Sequence, residues 1–301
     1  MSLFQLFGSF ELGMIFAIVA FGVWISFRVL DFPDLTVDGS FPLGAGVAAT
    51  LIVAGYDPWL ATLAAAGAGA LAGLLTAWLN VRWGILHLLA SILTMTALYS
   101  INLRIMGRPN VALLSEQTLL TPYEALFEDR TVAVLGVLGL LCAVIAALLW
   151  WFFQTERGLA LRATGANPRM ARAQGVRPGA MIMQGLALSN ALVALAGALF
   201  AQTQGFADVS MGLGTIVVGL AAVIIGEVIL HPKRIAFALI GCLIGSIVYR
   251  MAVAFALNAG SLGLQASDLN LITALLVGLA MVLPRLKATA RRKLKQQRRP
   301  S

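Results

Sequence analysis

Three aspartates, Asp31, Asp34 and Asp38, stand within eight residues of one another. Carboxylates at such spacing could hold Mg2+ and a diphosphate, as an intramembrane transferase requires. Pro33 and Gly39 break any continuous helical face, however, and no second acidic cluster stands opposite. Phosphate binding by a P-loop needs a Gly-rich turn followed by Gly-Lys-Ser/Thr, and none of Lys233, Lys287, Lys293 or Lys295 follows a glycine. The chain therefore offers no site of that kind for ATP, and energy has to come from another subunit or from an ion gradient. Cys142 and Cys242 lie in apolar runs and read as small hydrophobes rather than as a disulfide or metal pair. The deepest ionisable residues are Glu227 and Arg250. A charge at the bilayer centre costs about 2.5–3.5 kcal/mol on insertion scales, so both should face protein or water. Glu227 is expected to hold the adjacent inner loop or reach the interface, with gating or coupling as the alternative. Arg250 is expected to pair with Asp208 or Asp268, with a ligand carboxylate as the alternative. His87 reads as an interfacial residue rather than a proton relay.

The elements that must position these groups are membrane helices. The 301 residues are 60% hydrophobic and 11% charged, whereas a soluble domain carries about 25% charged residues. Nine apolar segments approach the roughly 20 residues that span a bilayer: 10–30, 40–55, 59–80, 85–105, 132–153, 181–202, 212–230, 235–256 and 268–284. The fold class is an all-α polytopic membrane protein. Its net charge of +8 is a topology signal before it is a nucleic-acid signal, and no nucleic-acid partner is expected. Arg157, Arg162, Arg169, Arg172 and Arg177 share one loop, and a basic run follows Arg285. The positive-inside rule puts both in the cytoplasm, four crossings apart, and leaves Asp57, Glu116, Glu124, Glu128, Asp129, Asp208 and Asp268 outside. Residues 1–285 form one transmembrane domain with a cytoplasmic loop at 155–180, and 286–301 form a basic tail.

The segment 31–39 is too polar for lipid yet directly precedes an apolar run, so the second helix should be short or broken. Residues 208–214 repeat that character before the seventh helix. The next helix of each half carries a small-xxx-small pair, Gly69/Gly73 and Gly241/Gly245, which lets backbones approach closely. Corresponding helices stand an odd number of crossings apart, which makes the repeat an inverted one. Ser91, Thr94, Thr96, Gln184, Ser189 and Asn190 supply polar groups to the fourth and sixth helices. They either hydrogen-bond helix to helix or line a pathway, for which Ser91, Thr94, Ser189 and Asn190 are the candidates.

The most specific segment is cytoplasmic. Asn167 suits an N-cap, Pro168 the first helical position, and Gly175 a left-handed terminus, which together encode a short helix over about 168–174. So short a helix needs packing to persist; a turn resting on anionic lipid is the plainer alternative. Gly158, Arg162-Ala163, Gly165, Asn167, Ala171, Ala173 and Gly175-Val176 resemble the cytoplasmic signature of permease subunits of ABC importers of the branched-chain amino acid and ribose type. Asp34–Ser40 and Gly219–Glu227 are similar to a branch associated with amino acids, including aromatic ones. The resemblance covers about residues 12–285.

The resemblance implies that this helix couples to the ATPase, with Arg162, Gly165, Asn167, Pro168, Arg169, Met170, Ala171, Arg172, Ala173 and Gly175 as its site residues. It further implies a permease in the bacterial inner membrane with its C-terminus in the cytoplasm. Such a permease has no catalytic residue and binds no cofactor or metal; ATP and Mg2+ belong to a partner ATPase. Its other partners are an extracytoplasmic solute-binding protein, a second copy of the chain and membrane lipid, and its cargo is a small solute, an amino acid or a related compound. An ion-coupled secondary transporter and an intramembrane transferase are the competing functions.

Overall fold

In a computed structural model, the protein is described over residues 3–258, apart from 115, 125–129 and 232–233, together with residue 278. The chain runs α1 (Leu3–Trp24), a π-helical turn (Ile25–Val29), α2 (Val37–Val53), α3 (Pro58–Trp83), α4 (His87–Met106), β1 (Asn110–Ala112), α5 (Thr121–Glu124) and α6 (Arg130–Gln154). It continues through α7 (Glu156–Ala166), α8 (Pro168–Ala173), α9 (Pro178–Gln204), β2 (Phe206–Asp208), α10 (Thr215–Leu230) and α11 (Ile235–Asn258). Eight of the nine expected segments are helices; the ninth, 268–284, lies outside the described residues, as does the 286–301 tail. Six described helices are long and apolar enough to cross a membrane, while α2 and α10 are shorter.

The shortness of α2 and α10 follows from the polar segments ahead of them. Ile25–Val29 widens the end of α1, Asp31 takes a positive φ of 53°, and the chain turns back before α2 starts. Residues 210–214 form successive turns ahead of α10. Helix α1 is apolar on every side, and from Ile15 to Ile25 its large side chains are buried, which places it at the centre. Around it stand α9, α11, α10 and α6, with α2 packed on α3, α4 and α9. The pairing of α3 with α9 and of α11 with α1 is what an exchange of α1–α2–α3 with α9–α10–α11 requires.

The glycine pairs do bring backbones together, but against unlike neighbours. Gly69 and Gly73 lie on the backbone of α9 at Asn190 and Leu186, whereas Gly241 and Gly245 lie on α10 at Gly226 and Ala222. Shared spacing thus reflects a shared packing need rather than one equivalent contact. Exposed Tyr56 and Trp59 mark one end of α3 and exposed Trp78 and Trp83 the other, as aromatic belts do at the two interfaces. Two three-residue strands tie the loops at the first of these ends, pairing antiparallel with Asn110 opposite Asp208. These strands are too short to leave an alternating pattern in the sequence.

Candidate functional site

The cytoplasmic arm is built from two caps. Thr155 caps α7 with its hydroxyl, which accepts from the Gly158 amide, and α7 is the element the sequence reading missed, treating 155–167 as plain loop. Asn167, in extended conformation, ends α7 and begins α8: its side-chain oxygen accepts from the amides of Arg169 and Met170, each at 3.1 Å. Pro168 occupies the first helical position as expected. Gly175 has φ +83°, and its amide bonds Arg172 O while that of Val176 bonds Ala171 O, the paired arrangement that satisfies orphan carbonyls at a helix end. Helix α8 is therefore six residues, closed at both ends.

Its surroundings divide the candidate residues into two groups. Gly165 faces the bundle: a Cβ there would lie 1.8 Å from the carbonyl oxygen of Val29, so α7 rests directly on the π-helical turn of α1. Ala171 is also turned inward, at 3% exposure. Met170 is 64% exposed, and Arg162, Arg169, Arg172 and Ala173 are exposed with it. Of the residues expected to couple to the ATPase, Ala171 thus seats α8 on its own chain, and the outward side chain is Met170.

A second constellation lies at the helix crossing. Asn190 is twelve residues into the 27-residue α9, which puts it about 18 Å along a helix of about 40 Å. It donates to the Asp34 carboxylate at 2.7 Å and accepts from the Ser40 hydroxyl at 2.7 Å. Asp34 also accepts from the Thr36 amide, and the hydroxyls of Thr36 and Thr76 meet at 2.7 Å. Asp38 reaches from α2 to the start of α10, where its carboxylate accepts from the amides of Gly214 and Ile216 at 3.2 and 2.8 Å. One carboxylate thus replaces the cap that Gly214 cannot supply. Asp34 and Asp38 are engaged in separate hydrogen bonds, and among the described residues no group of three potential metal ligands comes together.

The four pathway candidates are all buried, and each is engaged in a hydrogen bond. Ser189 donates to Gly22 O on α1 at 2.7 Å and Asn190 bonds as above, so these two link helices. Ser91 and Thr94 bond the backbone of their own helix, at Leu88 O and Ala90 O. Glu227, expected to hold the adjacent inner loop or reach the interface, forms an ion pair with Arg28 of the π-helical turn after α1. Arg250 stacks its guanidinium 3.9 Å from the centre of the Phe16 ring. Pairing with Asp208 is corrected: that carboxylate accepts from Ser210 and Asn110 instead, and Asp268 lies outside the described residues. Outside the membrane, the Ser210 hydroxyl chiefly holds the Asp208 carboxyl below the usual range, helped by the Ser210 amide and Asn110 and opposed by partial burial. His87 stacks on Phe32 at 4.2 Å between ring centres.

Sequence reasoning missed the Asp38 cap, the Thr36–Thr76 contact and Gln202. The Gln202 amide donates to Thr62, and its oxygen accepts from Leu119, tying the loop after β1 to α3 and α9. An acidic residue four before a helical proline, Asp38 ahead of Pro42, and a glutamine near a helix end, were the available signals.

Comparison with known proteins decides the family. Residues 5–283 match the branched-chain amino acid transport system permease component family. The chain belongs to that family. It is the permease subunit of an ABC importer, a multi-pass protein of the bacterial inner membrane and a transporter rather than an enzyme. A tyrosine transport system permease protein of Clostridioides difficile is 38% identical over 266 residues, covering 88% of this chain and 86% of that one. A galactofuranose transporter permease protein of Escherichia coli is 27% identical over 173 residues, covering 56% and 48%. Among solved structures, PsaBC from Streptococcus pneumoniae in complex with Fab shares the fold with a TM-score of 0.52 at 14% identity, covering 90% of this chain and 89% of that one. Membership of an ABC permease family implies an ATPase and a solute-binding protein as partners.

Proposed function

We propose that this permease works as one half of a homodimeric translocator whose α7–α8 arm sits in a groove of a cytoplasmic ATP-binding subunit. The observation that carries the reading is α8 itself: a six-residue helix closed by Asn167 and Gly175, seated through Ala171, with Met170, Arg169 and Arg172 turned away from the chain. A helix that short is unstable alone in water, and an exposed Met flanked by arginines is a surface for an apolar pocket with an acidic rim. ATP and Mg2+ are bound and ATP is hydrolysed at the partner; this chain binds no cofactor. Closure of the ATPase pulls or releases the arm, and α7, resting on Val29 through Gly165, passes the displacement to the π-helical turn of α1 and the junction behind it.

The cargo is an amino acid or a related compound, delivered by an extracytoplasmic binding protein that docks on the side of β1 and β2. The C. difficile relative's named role in tyrosine transport supports an aromatic amino acid as the first compound to assay. The C-terminus lies in the cytoplasm on this reading. A cysteine at position 170 should react with a membrane-impermeant reagent only from the cytoplasmic side, and one at 118 only from outside. Labelling at 170 from outside would overturn both orientation and arm.

A further inference from the structure

A cavity of about 620 Å³ opens on the flank of the bundle between α3, α6 and α9. Leu74, Leu148, Trp151, Leu188 and Leu192 give it apolar walls, and its polar lining side chains are Arg157 and Gln184. Both polar groups stand at one end. On α9, Gln184 is the first lining residue and Leu192 the last, while Arg157 follows the end of α6 in the first turn of α7. The α9 wall from Gln184 to Leu192 rises about 12 Å, close to half the roughly 30 Å hydrocarbon thickness. The groove therefore has the depth of one leaflet, a cation at the end beside the α7–α8 arm, and hydrocarbon character beyond it. Arg157 is exposed and outside the ion pair described between Arg28 and Glu227. Its neighbour Glu156 does not line the groove. Water needs two to four polar partners to occupy such a space and finds none along Leu148, Leu188 and Leu192.

We infer that this groove binds one anionic phospholipid of the leaflet on the arm side. An acyl chain lies along Leu148, Leu188 and Leu192, and the phosphate meets the Arg157 guanidinium, whose planar donors suit phosphate oxygens. The lipid would fill the angle between α6 and α9 from which the arm projects. This inference depends on the membrane placement of the helices and not on ATPase docking.

The test uses the intact chain offered equal amounts of phosphatidylglycerol and phosphatidylcholine with identical acyl chains, with retained lipid read by native mass spectrometry. Wild type should retain phosphatidylglycerol in preference, and Arg157→Gln should lower that preference about fivefold. Leu188→Trp, which fills the groove, should abolish retention of both lipids. Because Arg157 is exposed, its variant carries the test even if Leu188→Trp does not fold. In bilayers, phosphatidylglycerol with brominated chains should quench the Trp151 fluorescence, obtained by difference from Trp151→Phe, more than brominated phosphatidylcholine does. Equal retention of the two lipids by wild type, or an unchanged preference in Arg157→Gln, would overturn the proposal. So would the absence of Trp151 quenching by either lipid in the assembled importer, since the groove would then be covered by protein.

Discussion

The polar junction at 31–40 and the cytoplasmic arm at 155–175 use the same vocabulary for opposite ends. Each has a carboxylate or amide side chain capping a helix start, a proline nearby and glycines where backbones pass closely. In the junction every cap is turned inward. Asp34 is consumed by Thr36 and Asn190, and Asp38 by two amides of α10, so little is left to offer a ligand. In the arm the caps are satisfied locally, and the face left over carries exposed Met170 between exposed Arg169 and Arg172. The difference separates a brace from a docking surface: a segment whose polar groups are spent on its own chain holds the fold, and one closed at both ends with an apolar side chain outward waits for a partner.

The contrast breaks most severely at Asp38. Asp38→Leu leaves the amides of Gly214 and Ile216 unpaired away from bulk water, at about 1–3 kcal/mol each, and lipid cannot supply replacements. The expected outcome is a large drop in the thermal unfolding midpoint of the purified chain, partly restored in Asp38→Asn, whose amide oxygen still accepts. An unchanged midpoint in Asp38→Leu would remove the brace. Asn190→Leu comes next, because it strips one partner from Asp34 and one from Ser40. A loss of about 1–3 kcal/mol is expected, read by denaturant or thermal unfolding, with the arm's accessibility to labelling unchanged.

How much of this was legible beforehand follows the same division. The spans, the short second helix and the α8 caps come from hydropathy and from Asn-Pro and Gly signals, which act within a few residues. Asp34 and Asp38 are legible as a polar break in an apolar chain, but their partners Asn190 and Ile216 are 156 and 178 residues away, and no local rule pairs them. The inward turn of Ala171 escaped for a related reason: an alanine has the same appearance in sequence whether its small side chain admits a partner or its own bundle. Helix α7 has a low apolar content and sits beyond a long membrane helix, so its cap at Thr155 was the one local mark.

Two smaller effects sharpen the comparison. Gly175→Val forces a branched side chain into φ +83°, costing on the order of 1 kcal/mol or more locally. That is small for the bundle and large for six residues, so the expected result is an unchanged unfolding midpoint with weakened ATPase association. The smallest effect is at Asp208. A carboxyl held below its ordinary range by Ser210 contributes stability above the unfolded pKa of about 3.9, and that contribution is lost as pH falls through the lower folded value. Ser210→Ala should therefore reduce the stability difference between pH 7 and the acid limb of an unfolding titration. An identical acid limb in the variant would remove the role of Ser210.

The central claim is that the outward face of α8 is where ATP-binding energy enters this chain. It is tested most directly by Met170→Glu, which places an acid at a position 64% exposed without disturbing the Asn167 cap, Ala171 or Gly175. The measurement is co-purification of the ATP-binding subunit with the permease, alongside ATP-driven uptake in the same vesicles. The account predicts a chain that inserts and unfolds like wild type yet loses ATPase association and uptake together. Normal association and uptake in Met170→Glu would contradict it.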